Sequence, residues 1–300
     1  MKCEKRIVLV DGYALIYRSF YAIRGLTSPD GAPTNALYGV ARYLMKLEDE
    51  FPHSHGSLVL DKGKATERIK LLPEYKATRP PTPDDLRSQV APIREWAEAA
   101  GWPILVWEGH EADDLIAAVV AAREGLETLI FSGDKDFAQL VQSGVTLMLP
   151  GKKGMSNICD REAVVEKFGV PPEAIIDYLA LVGDSVDNIK GVEGVGAKTA
   201  ASLLQEFGTI DHLLVNLDRV SRVSLREKLS AAGELLALNR KLVALDTTLP
   251  PDWEGLQTIA RREPDWERML ELAGSHGFKS LRETIAKRLD DKRNPTLFDF

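Results

Sequence analysis

Four short runs rich in valine, isoleucine and leucine punctuate the first half of the chain, at residues 7–10, 58–60, 104–107 and 128–131. Each is too short for a helix and apolar at consecutive positions, the pattern of a strand buried on both faces of a parallel sheet. A fifth run at 145–149 adds an edge strand. Between the runs, apolar positions recur at helical spacing, as at 35–48 and 114–123. This alternation predicts an α/β domain built on a parallel sheet.

From about Asp160 the periodicity is helical only, at 161–168, 172–181, 198–207, 222–244 and 265–289. A boundary near Pro171–Pro172 therefore divides the chain. The expected organisation is an α/β domain over 1–171, a smaller all-helical domain over 172–289 and a flexible tail over 290–300. Segment 62–94 stands apart. It carries eight basic residues against four acidic ones and prolines at 73, 80, 81 and 83. A long basic insertion directly after a strand reads as a mobile element over a site, the competing reading being a solvated helical connection.

Composition changes this picture at one point. The net charge of −7 argues at face value against a polyanionic partner. Nine carboxylates singled out below carry −9 of it, which leaves the rest of the chain at +2. Distribution therefore decides the partner, and the mean does not. The two cysteines, Cys3 and Cys159, are too few for a disulfide framework and lack zinc-ligand spacing. His53 and His55 are expected in a solvated loop. No apolar run reaches the roughly 20 residues of a membrane span, and the N-terminus lacks a cleavage-site pattern. A cytoplasmic location is expected.

The nine acids recur where a parallel sheet places ligands. Asp11, Asp61 and Asp134 follow three of the strand runs, and the carboxyl ends of strands border the crevice of an open α/β sheet. Glu111, Asp113 and Asp114 open the helix after the third run, with Glu111 and Asp114 one turn apart. Asp134 and Asp136 are two residues apart, and Asp184 and Asp187 three apart. Singly, each is a strand-end acid or a helix cap. Converging, they would repel strongly unless cations lay between them, and oxygen-only ligands select hard ions such as Mg²⁺ or Mn²⁺.

Residues 191–200, GVEGVGAKTA, resemble a phosphate loop but fail the Walker spacing, because Ala197 separates Gly196 from Lys198. A nucleotide triphosphatase is not implied. Glycines ahead of a helix N-terminus still suit a phosphate, and a plain tight turn between helices suits the sequence equally well.

Taken in order, LVDG, EADD, SGDKD, LVGDSVDNI and GVEGVGAKTA resemble the flap-endonuclease (5′-nuclease) family over residues 7–250. That resemblance implies a PIN-like nuclease core with a helical arch at 62–94, followed by a helical domain with a helix–hairpin–helix element. It also implies two acidic metal clusters. Asp11, Asp61, Glu111 and Asp113 match the first, with Asp134 between the metals, and Asp114, Asp136, Asp184 and Asp187 fill the remaining positions. By the same match Lys76 and Arg79 contact the scissile phosphate, and Tyr75 stacks on a base. Gly191, Gly194, Gly196, Lys198 and Thr199 grip duplex phosphates, with K⁺ at the turn. Two departures are present: Asp61 is followed by Lys-Gly-Lys, and Lys190 replaces a proline common before the glycine turn.

The implied activity is Mg²⁺-dependent hydrolysis of 5′-flap or 5′-ended branched DNA by a monomeric, stand-alone nuclease in replication and repair. Two other readings stay open at this level: a structure-specific DNA-binding protein without catalysis, and a PIN-like ribonuclease. The tail at 294–300, NPTLFDF, resembles peptides that dock into a sliding clamp, with Leu297 and Phe298 as anchors. Folding back onto the helical domain is its plainer alternative.

Overall fold

The computed structural model describes residues 5–151 and 156–293. The tail anchors Leu297 and Phe298 therefore lie outside the described residues. The valine-rich runs form a six-stranded sheet: β1 (Arg6–Asp11), β2 (His55–Val59), β3 (Ile104–Leu105), β4 (Glu127–Phe131), β5 (Val145–Pro150) and β6 (Ser156–Cys159). Its order is β3-β2-β1-β4-β5-β6, parallel throughout except for the antiparallel β5–β6 pair. The 145–149 run is thus not the edge, because β6 pairs outside it. The third run is cut to two residues at the opposite edge.

The chain runs outward from β1 to β3 and then returns to place β4 on the other side of β1. That reversal is a topological switch point, so a crevice opens above the carboxyl ends of β1 and β4. The helices of this half are α1 (Gly12–Ala22), α2 (Asn35–Glu50), α3 (Thr66–Leu71), α4 (Asp84–Arg87), α5 (Val90–Ala99), α6 (Ala112–Ala121) and α7 (Arg161–Phe168). The extent of α7 follows from its ends. Asp160 caps Ala163 N, and Gly169 takes the left-handed conformation at φ 74° ahead of Pro171.

Successive strand side chains point to opposite faces. Ile7 and Leu9 of β1 meet Leu115, Ile116 and Val119 of α6, whereas Val8 and Val10 join Leu37, Val40 and Trp96 of α2 and α5. The second half continues with α8 (Ile175–Val182), a short hairpin of β7 (Gly183–Asp184) and β8 (Ile189–Lys190), then α9 (Ala197–Phe207), α10 (Ile210–Val215), α11 (Val223–Ala231), α12 (Gly233–Val243), α13 (Trp266–Ser275) and α14 (Lys279–Arg293). The long helical stretch expected at 222–244 is broken near Ala232, and that at 265–289 at Gly277 (φ 73°).

The helical half does not run as one body to residue 289. Helices α8 to α12 share the core on the α6 face, but α13 and α14 return to the other face. There Met269, Leu272, Phe278, Leu281 and Ile285 bury against α2 and α5. The returning chain is bound by Arg261 N to Ser54 O (3.0 Å), Arg262 N to Gly101 O (3.1 Å) and Asp265 N to Ala99 O (2.8 Å). Gly101 is required there, because a Cβ would stand 2.2 Å from Arg262 O. His53 is likewise not solvated. It is buried against the Trp102 ring, and loss of hydration pulls its imidazole down to about 4.

Candidate metal centre and its cationic wall

Each strand end delivers its acid into the crevice with a local reason for its orientation. Asp11 ends β1 and caps α1, accepting from Ala14 N (3.1 Å) and from Ser132 Oγ (2.7 Å). Asp61, just beyond β2, accepts from Ala112 N at the start of α6 (2.6 Å). Glu111 is the N-cap residue of α6, with Asp113 and Asp114 in the first turn, where the helix dipole favours anions. Asp134 follows β4, its amide held by Ser132 Oγ (3.0 Å), and its Oδ1 accepts from Asp136 N (2.9 Å).

Asp11, Asp61, Glu111, Asp113 and Asp134 line one cavity of about 650 Å³. Carboxylate oxygens of Glu111, Asp113 and Asp114 lie within 4.8 Å of one another, a spacing suited to an ion. Asp184 and Asp187 lie near enough to Asp136 for their charges to act on it. Asp184 receives Lys135 Nζ (2.9 Å), and Asp187 is buried at the base of the arch.

The opposite wall is cationic and is folded down onto these acids. Lys76 Nζ binds Glu111 Oε1 and lies 3.6 Å from Asp187, and Arg79 Nη2 is 2.5 Å from Asp187 Oδ1. Main-chain bonds fix the same contact: Lys76 N donates to Asp187 O (3.0 Å), and Asn188 Nδ2 donates to Glu74 O (2.9 Å). Lys76 and Asn188 both adopt positive φ, 55° and 59°, an uncommon conformation for residues other than glycine.

Tyr75 departs from expectation. Its side chain is 6% exposed, and its hydroxyl donates to Glu111 (2.9 Å) and Asp187 (3.1 Å). A ring so enclosed orients carboxylates; it offers no face to a base. Asp114 also differs from the other acids. Arg68 takes both its oxygens (2.5 and 2.7 Å), and Asp114 borders a separate cavity with Asp246 and His110. Arg68 itself was not singled out by the sequence among the arch cations. It is buried, also donates to Glu111 Oε2 (2.9 Å), and bonds the carbonyls of Leu242 and Ala244 in the helical half.

Crowding marks the acids electrostatically. Burial, then the charges of Asp61 and Asp134, pushes Asp11 up to about 6. Burial and the charge of Asp134 push Asp136 up to about 7. Asp113 is raised well above the carboxylate range by burial and by Asp114 and Glu111. Asp61 stands in the open cleft but is hemmed in by protein, and that loss of hydration, followed by the charge of Glu111, raises it too. Glu111 moves the other way: burial raises it, but Lys76 and Arg68 outweigh burial. Burial also opposes the lowering of Asp184, which Lys135 brings about. Asp136 Oδ1 is buried with no hydrogen-bond partner. Crowded carboxylates that resist ionising side by side, and a buried oxygen left over, are what divalent cations would satisfy.

The glycine turn lies at the helical half's surface. Gly194 (φ 80°), Gly196 and Lys198 are exposed and Thr199 half-buried, with Gly196 capping α9. A Cβ on Gly191 would meet Val182 O at 2.2 Å, so Gly191 serves packing, whereas a Cβ on Gly196 would meet open space.

A parallel sheet with an acidic cleft at its switch point, followed by a helix–hairpin–helix element, defines a metal-dependent nuclease. The chain belongs to the 5′-3′ exonuclease family: residues 6–169 match its N-terminal resolvase-like domain and residues 170–267 its C-terminal SAM fold. The 5′-3′ exonuclease of Aquifex aeolicus is 36% identical over 296 residues, covering 98% of this chain and all of that protein. DNA polymerase I of Bacillus caldotenax is 37% identical over 296 residues, covering 97% of this chain. The chain spans about a third of that polymerase's length. In fold it is similar to bacteriophage T5 5′-exonuclease with bound zinc (TM-score 0.65, 22% identity, 95% of this chain and 99% of that one). It is also similar to the catalytic core of Rad2 in complex with DNA substrate (TM-score 0.63, 17% identity, 95% and 92%). No helix among the described residues is long and apolar enough to cross a membrane.

The raised carboxyls make a prediction for the metal-free protein. An unfolded aspartate ionises near pH 4. A group raised on folding contributes stability fully below that value and loses it as pH climbs through the folded value. Asp11, Asp61, Asp113 and Asp136 all have this sign, while Glu111 and Asp184, which are lowered, act mainly below the window. In chelator the melting midpoint is expected to fall from about pH 5 to about pH 8, and saturating Mg²⁺ is expected to remove most of the fall. A midpoint in chelator that stays level or rises over this range would refute the crowding argument.

Proposed function

We propose that the protein is a structure-specific 5′-nuclease acting on 5′-flap and 5′-ended branched DNA in replication and repair. The observation that carries this reading is one cleft with five carboxylates on its floor and Lys76 and Arg79 on its wall. Asp11, Asp61, Glu111, Asp113 and Asp134 would hold one or both of two Mg²⁺ ions, with Mn²⁺ as a substitute, and Asp136, Asp184 and Asp187 would complete the second. When bound, such ions supply an activated water and stabilise charge on the phosphoryl oxygens.

The chain's own groups do the rest. Lys76 and Arg79, which pair with Glu111 and Asp187 on the cleft wall, would face the scissile phosphate and offset its developing charge. The α8–hairpin–α9 element holds duplex backbone through Gly194, Gly196, Lys198 and Thr199, independently of sequence, with K⁺ a candidate at the turn. Residues 1–171 are the catalytic unit, and the helices from 172 through α12 the DNA-gripping unit. The protein acts as a monomer in the cytoplasm, with a sliding clamp as candidate partner of the tail.

An end-labelled flap duplex tests this. Incision near the junction in Mg²⁺, abolished by chelator, is expected. Tight binding of the flap without cutting, in Mg²⁺ or Mn²⁺, would favour a DNA-binding protein that has lost catalysis.

A further inference from the structure

The two long walls of the cleft meet at a polar contact that the reading above does not use. Tyr17 Oη and Thr82 Oγ1 lie 2.8 Å apart, joining α1 to the proline-rich segment of the arch. Both residues line the cavity that holds the carboxylates. Tyr17 is six residues beyond Asp11, hence about 9 Å along the helix axis at 1.5 Å per residue. The contact therefore bridges the cavity away from its acidic floor.

Both ends of the bridge are stiff. The Tyr17 ring is flanked by Tyr13 and Tyr21 at 6.4 and 6.5 Å between centroids, one turn away on either side. Thr82 is set among Pro80, Pro81 and Pro83, each with a fixed φ, and its carbonyl accepts from Arg87 Nη2 (3.2 Å). Half-buried Thr82 thus presents its hydroxyl from a conformationally restricted segment.

We propose that the Tyr17–Thr82 hydrogen bond closes the cleft between α1 and the arch, and that Thr82 is a specificity-determining residue. Closure favours a strand that terminates inside the cavity over one that continues through it. The inference rests on the nuclease reading. The cavity of about 650 Å³ has room for a terminal nucleotide with the bridge intact. A strand that continues past the scissile phosphate has to pass between the walls, and the bridge must break to admit it. One neutral hydrogen bond shifts such an equilibrium by about three- to tenfold.

The test compares two end-labelled duplexes under single-turnover conditions in Mg²⁺: one with a flush 5′ end at a nick, one with a long single-stranded 5′ flap. The quantity read is the rate of flap incision divided by the rate of terminal-nucleotide release. Thr82→Val is expected to raise this ratio about three- to tenfold, and Thr82→Ser, which keeps the hydroxyl, to restore it. Tyr17→Phe should raise it similarly, and the double variant should add little, since both changes remove one bond. Thr82→Ala covers the case in which valine disturbs the fold. An unchanged or lowered ratio in the valine or alanine variant, with wild-type protein active, overturns the proposal. Wild-type protein that cuts neither duplex overturns the nuclease reading beneath it.

Discussion

Asp113→Asn is expected to lower the nuclease rate by about 10³-fold or more while making the metal-free protein melt higher than wild type. Both effects come from one feature. Asp113 sits in the first turn of α6, between Glu111 and Asp114, and its carboxyl is pushed up by burial and by those two charges. Asparagine keeps the shape and one acceptor oxygen but removes the charge. Without metal, the change relieves repulsion that folding otherwise has to overcome, and each kcal/mol so relieved raises the midpoint by about 2–4 °C. If Asp113 is a ligand as proposed, the change removes its charge from the ion site, so the stabilisation by Mg²⁺ should shrink as the rate falls. Melting in chelator and in Mg²⁺, beside single-turnover cutting of the flap duplex, measures all three. An asparagine variant that melts below wild type in chelator, or keeps more than about a tenth of its rate, would place Asp113 outside the ion-binding set.

Opposite signs for stability and activity are expected where function maintains an unfavourable charge arrangement. That arrangement was legible in the sequence because the acids follow strands, and strands buried on both faces announce themselves as valine- and isoleucine-rich runs. The ends of β1, β2 and β4 put Asp11, Asp61 and Asp134 at one crevice, and the cap position of α6 brings Glu111 to it. Cation pairing was less legible. Arg68, Lys76 and Arg79 look alike in a basic insertion, yet Arg68 is buried across three elements while Arg79 is exposed. Only the fold, by setting residues 187–188 against 74–76, decides which cation meets which acid. Tyr75 was misplaced for the same reason. The amphipathic patterns of α13 and α14 promised a buried stripe but carried no information about its partner, and the partner proved to be α2 and α5. Helix α1 was not marked at all, because its tyrosines at 13, 17 and 21 make a stripe neither clearly apolar nor clearly polar.

Arg68→Met is expected to cost about 3–5 kcal/mol, a drop of about 10 °C in the melting midpoint, because it leaves buried acids without their cation. Arg68 donates to both oxygens of Asp114, to Glu111 Oε2, and to the carbonyls of Leu242 and Ala244. Burial disfavours its charge, but the hydrogen bonds and charge of Asp114, with Asp113, more than offset that, so it stays protonated. Methionine fills similar space and bonds none of these groups. The loss should therefore exceed that of any exposed arch cation, Lys70 for example, whose partner Glu67 is also exposed. A cycle separates charge from packing: adding Asp114→Asn to Arg68→Met should recover part of the loss, since the neutral amide no longer needs the guanidinium. Cutting should fall too, because Glu111 would keep Lys76 on one oxygen but lose one of the two contacts, Arg68 and Tyr75, that hold the other. If Arg68→Met melts within about 2 °C of wild type, this arginine does not bind the arch, α6 and the helical half together.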